Sequence, residues 1–128
     1  MWKDELTPTV ETAELFSNTG LFLLKRGQYS VAEALMTRAL LFNKQRFGEA
    51  HLKTAYALNE LATLYLDQGN YGQAEPLFQQ AITIFEENLG AEHPNTTGCV
   101  KRLALLYIPQ GKYKQAEELI FRTLFIHG

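Results

Sequence analysis

The sequence predicts an all-α solenoid of three stacked antiparallel helix pairs, and three observations carry that prediction. Gly27, Gly69 and Gly111 recur 42 residues apart, each followed two positions later by a tyrosine (Tyr29, Tyr71, Tyr113) and five positions later by Ala-Glu (Ala32-Glu33, Ala74-Glu75, Ala116-Glu117). In that register residues 51–86 match residues 93–128 at 14 of 36 positions, and 17–50 match 59–92 at 8 of 34. Apolar residues fall at helical spacing, and alternation of period two is absent. A fixed period of this size means one supersecondary unit stacked on itself, each copy burying the open face of the next.

The elements follow in order. Unit one, about 10–50, is predicted to hold helices 10–26 and 29–47, parted at Gly27. Unit two, 51–92, shows the period best: Leu58, Leu61, Ala62, Leu64 and Tyr65 form one apolar stripe over helix 51–68. A second stripe runs through Tyr71, Ala74, Leu77, Phe78, Ala81, Ile82, Phe85 and Leu89 over helix 71–89. Gly69 sits where one helix stops, a place that favours left-handed backbone angles and therefore glycine. Gly90 closes the second helix, and Pro94 suits the first turn of the next, where its missing N–H is not needed. Unit three, 93–128, takes helices 93–110 and 113–126. Pro76 falls early in its helix, where a lost hydrogen bond does least harm; Pro109 falls in a last turn, so that helix should end early or kink. No linker separates the units, and residues 1–128 read as a single domain.

Composition narrows the function. With 128 residues, 46% of them apolar, there is material for one core or one short stack. The formal net charge is −2 with no basic stripe, so the electrostatic footprint of a nucleic-acid binder is missing. The single cysteine, Cys99, excludes an internal disulfide and fits a reducing compartment. The start, Met1-Trp2-Lys3-Asp4-Glu5, is unlike a signal peptide, and no apolar run approaches the roughly 20 residues of a membrane helix. A cytoplasmic protein without membrane contact is expected.

The residues also carry a resemblance. Leu58-x-x-Leu61-Ala62-x-x-Tyr65 followed by Ala74-x-x-x-Phe78-x-x-Ala81 resembles the tetratricopeptide repeat, a helix-turn-helix unit whose usual period is about 34. Here the period is 42, about one extra turn per helix, and Leu89-Gly90-x-Glu92-His93-Pro94 between units is similar to the kinesin-light-chain type of this repeat. Bacterial signalling ATPases of the STAND class carry similar arrays, and Glu11-Thr12-Ala13-Glu14-Leu15 looks like the entry into one. Unit one departs from the pattern, with Thr19 and Leu23 where leucine and tyrosine are expected and Leu52 in place of the loop proline.

The resemblance implies a non-catalytic protein-interaction module that binds an extended peptide or a partner helix in a concave groove lined by the first helix of each unit. The alternative is a fragment of the sensor array of a larger signalling ATPase. Groove positions are then Asn18, Leu21 and Lys25 in unit one, Tyr56, Asn59 and Thr63 in unit two, and Lys101, Arg102 and Leu105 in unit three. Asn59 matches the groove asparagine of the family, and an amide that both donates and accepts suits a peptide backbone. Lys101 and Arg102 would favour an acidic ligand residue, with Tyr56 as an apolar platform.

Other features that look like chemistry are read as structural. His51 and His93 recur at one loop position, so they stand a repeat apart and no metal site is expected; each is read as a helix-start residue satisfying backbone groups. Cys99 occupies the position of Ala57 and is read as a half-buried thiol. Glu33, Glu75 and Glu117 are read as first-turn charges favoured by the helix dipole. No catalytic residue and no cofactor is expected. In the last helix Phe121 and Phe125 replace Gln79 and Thr83, and with Leu124 they make it apolar nearly all round, although solenoids normally end on a polar face. Gly128 falls short of the counterpart of Leu89-Gly90, so a homodimer or higher oligomer through Phe121, Leu124 and Phe125 is expected, the alternative being a fragment whose next unit would cover these residues.

Overall fold

The computed structural model describes residues 10–127, with side chains as far as Arg122. Six helices run in order: α1 (Val10–Lys25), α2 (Tyr29–Phe47), α3 (Leu52–Asp67), α4 (Tyr71–Leu89), α5 (Pro94–Tyr107) and α6 (Tyr113–His127). No strand occurs among the described residues. The helices pair as α1/α2, α3/α4 and α5/α6, and the pairs stack through α2 on α3 and α4 on α5.

The turn inside each pair has one construction. Gly27, Gly69 and Gly111 take φ of 75°, 79° and 74°, the left-handed region where a side chain is penalised. The residue after each glycine donates its N–H back across the turn, Gln28 to Leu23, Asn70 to Tyr65 and Lys112 to Tyr107, at 2.8–3.0 Å. This closes the otherwise unpaired carbonyls of the helix end. The loops between pairs are also alike. Gly48 and Gly90 have φ of 100° and 92°. Thr54 and Thr96, both fully buried, donate their hydroxyls to the Gly48 and Gly90 carbonyls at 2.6 and 2.9 Å. His51 and His93 cap the following helix, each Nδ1 accepting from the backbone N–H two residues on, at 3.0 and 3.1 Å.

The early end expected at Pro109 is present. Helix α5 stops at Tyr107 and not at 110, because Pro109 cannot donate the next helical hydrogen bond. Pro76 is accommodated inside α4 without interrupting it. The core runs continuously through the stack. Met36, Leu58, Leu64, Phe78, Phe85, Cys99 and Leu106 are all under 2% exposed, with Ala32, Ala62, Ala74 and Ala81 fully buried among them. Burying a side chain the size of Phe78 stabilises by roughly 1.5–3 kcal/mol.

Candidate peptide groove

The spacing of the helices fixes which side is concave. The backbones of α1 and α3, and of α3 and α5, come within 8 Å of each other, whereas those of α2, α4 and α6 do not. First helices therefore line the inner radius of the array and second helices its outer wall. Position 56 of α3 shows the consequence: Tyr56 points to the open side at 43% exposure, while Ala57 beside it is buried against the preceding pair.

The sequence-predicted groove residues fall into two groups. Asn18 and Tyr56 line one cavity of about 330 Å³ between α1 and α3, together with Glu14, Ser17, Lys53 and Glu60. Lys53 pairs with Glu14 there at 3.6 Å. Burial pushes the Glu60 carboxyl above the usual carboxylate range, and a hydrogen bond with the Ser17 hydroxyl partly opposes this. The second group lies between α3 and α5. Asn59 Oδ1 accepts from Arg102 Nη1 at 3.5 Å and from the Cys99 thiol at 3.6 Å. Thr63 turns its hydroxyl to the Asn59 carbonyl of its own helix, 2.8 Å away. Lys101 and Leu105 are exposed on α5, Lys25 is exposed at the end of α1, and Leu21 is half-buried against the core.

One bridge across the concave face was not legible beforehand: Tyr56 Oη accepts from Asn95 Nδ2 at 2.8 Å. The Tyr56 ring also meets Phe85 of α4 edge-on at 5.3 Å between centroids. The larger omission concerns the recurring glutamates. Tyr65 donates its hydroxyl to Glu33 at 2.6 Å, and Tyr107 donates to Glu75 at 2.5 Å. These carboxylates are latches between units, a correction to their reading as dipole charges. A recurring 32-residue separation between glutamate and tyrosine was the available signal. Burial, then the hydrogen bond and charge of the glutamate, pushes both tyrosine hydroxyls up to about 12.

Cys99 is not an activated nucleophile. Cys99 is fully buried and not half-buried as expected, because its thiol lies 3.8 Å from the Phe78 carbonyl where α5 packs on α4. Burial pushes that thiol up to about 12, with Arg102 opposing, so it stays protonated and inert. At the α6 end, Phe121 is 50% exposed. The Leu124 and Phe125 side chains, expected with it in an interface, lie outside the described residues.

Paired helices joined at left-handed glycines, with first helices inside and second helices outside, define a helical-repeat solenoid. The chain belongs to the tetratricopeptide repeat family, whose profile matches residues 11–87 and 57–120. Proteins of this family are generally non-catalytic scaffolds for protein–protein interaction. No curated protein matches the chain. Among solved structures, BtubC (BKLC) from P. vanneervenii is similar, with a TM-score of 0.88, 21% identity, and coverage of 97% of this chain and 50% of that one. A Podosopora anserina protein named for kinesin light chain and built of nearly identical TPR-like repeats is similar at a TM-score of 0.81 and 22% identity. There coverage is 94% of this chain and 57% of that one. The chain thus spans 50–57% of the length of these structures, and the likeness is one of fold. No helix among the described residues is long and apolar enough to cross a membrane.

Proposed function

We propose that this chain is a non-catalytic scaffold that binds an extended peptide or a partner helix along the concave face of α1, α3 and α5. The observation that carries this reading is the convergence of Asn18 and Tyr56 on one concave cavity of about 330 Å³. Farther along the same face Asn59, Lys101 and Arg102 offer an amide and two cations. Such a surface suits a peptide backbone hydrogen-bonded by amides, a side chain resting on Tyr56, and an acidic residue held near α5. The same groove would serve if the chain were part of the sensor array of a larger signalling ATPase.

The test is a pull-down with the intact chain, followed by titration of the captured ligand against Asn59→Ala/Lys101→Glu. Loss of one charge-assisted contact weakens affinity by roughly tenfold or more. Helicity by circular dichroism should stay unchanged, because Lys101 is exposed and Asn59 only half-buried. Undiminished binding by the variant, or its unfolding, would remove these residues from the binding face.

A further inference from the structure

The concave face does not carry one charge along its length. A single repeat position holds Asn18 on α1, Glu60 on α3 and Arg102 on α5, each 42 residues from the next. The position before it holds Ser17, Asn59 and Lys101. The cavity between α1 and α3 has two carboxylates in its wall, Glu14 and Glu60, against one cation among the described residues, Lys53. That cation is committed: Lys53 pairs with Glu14 at 3.6 Å and lies 5.8 Å from the centroid of the Phe47 ring. Glu60, half-buried, is left with the hydroxyl of Ser17. A carboxylate withdrawn from water in this way is unfavourable until a cation compensates it. The Tyr56 ring forms another side of the same cavity, and an aromatic face also attracts a cation.

We propose that the cavity between α1 and α3 takes a lysine or arginine side chain of the ligand, held by Glu60 and Tyr56, while an acidic residue of the same ligand meets Lys101 and Arg102. This specificity rests on the concave face being the peptide site, and it gives that site a ligand class: peptides bearing both charges at a set separation. Arg102 gives Nη1 to Asn59 at 3.5 Å, and its guanidinium has further N–H donors for a carboxylate. Adjacent packed helices lie roughly 8–10 Å apart and an extended chain advances about 3.3 Å per residue, so the two ligand charges stand about three residues apart. A uniformly acidic peptide would set a carboxylate against Glu60, and a uniformly basic one a cation against Arg102. The groove therefore rejects both by repulsion as well as selecting the mixed sequence.

Selection with the intact chain from a phage-displayed library of random peptides tests this. Enriched peptides should carry a lysine or arginine and an aspartate or glutamate about three positions apart. The best of them is then synthesised, together with a form in which glutamine replaces its basic residue. Glu60→Gln keeps an acceptor for Ser17 and removes the charge. It should weaken the basic peptide roughly tenfold and leave the glutamine form unaffected. Glu14→Gln, at an exposed position on which folding does not depend, should act in the same direction, because Lys53 is then free to neutralise Glu60. Enriched peptides without a basic residue would overturn the cation site, as would equal losses for the two peptide forms in both variants. If Asn59→Ala/Lys101→Glu still abolished binding in that case, the concave groove would stand without it. A library that yields no peptide at all would remove both.

Discussion

At the scale of single residues, backbone angle and proton affinity each lead to a measurable outcome. A Cβ at Gly69 would meet nothing within 4 Å, so substitution there is opposed by its φ of 79° and not by crowding. Gly69→Val should cost more than about 1 kcal/mol, since a β-branched residue resists that region. Asn70→Ala should cost far less, because the Asn70 side chain makes no capping hydrogen bond to α4. Equal melting temperatures for the two variants would contradict this account of the turn. The Tyr65 and Tyr107 hydroxyls are held up to about 12, above the ordinary value near 10, so the folded state keeps protons that the unfolded chain releases. Their contribution to stability is complete below about pH 10 and is lost as pH rises towards about 12. Melting curves collected between those limits should fall steeply for the wild type and less steeply for Tyr65→Phe/Tyr107→Phe. Parallel curves would mean the latches carry no such linkage.

Helices were the most legible level, because their boundaries depend on local chemistry that a sequence displays. Gly27, Gly69 and Gly111 mark helix ends by conformational freedom, and Pro109 marks another by a missing donor, which is why α5 stops at Tyr107. The contacts between Tyr65 and Glu33 or Tyr56 and Asn95 were not legible in the same way. Each joins residues more than thirty positions apart, on helices whose facing depends on how the pairs stack. The role of histidine at helix starts could be read from its loop position, though not the capping nitrogen. His93→Ala removes the Nδ1 that accepts from the Asn95 N–H, and should cost about 1 kcal/mol, whereas His93→Asn retains a capping oxygen and should cost little. Thermal melts of the two variants separate these outcomes; an Asn variant as unstable as the Ala one would show that His93 acts by packing.

Across the whole molecule, the arrangement of the three pairs could be read from the repeat, while the groove could be read only as a set of positions. Which of those positions are free and which are spent on the array itself is decided by curvature. Arg102 leans on Asn59 and Asn95 on Tyr56 because the inner helices are drawn together. The latches have a consequence for how such a chain can change length over generations. Units one and two each hand a glutamate to a tyrosine 32 residues downstream, and the glycine turns recur with a 42-residue period. A duplication or deletion of 42 residues keeps the register of donors and acceptors and returns each buried alanine to its place in the core. A change of 41 or 43 turns a helix by about 100° and presents the wrong side of it to its neighbour. An indel within a helix that is far from a whole number of turns is therefore opposed by geometry, whereas a whole 42-residue step is not.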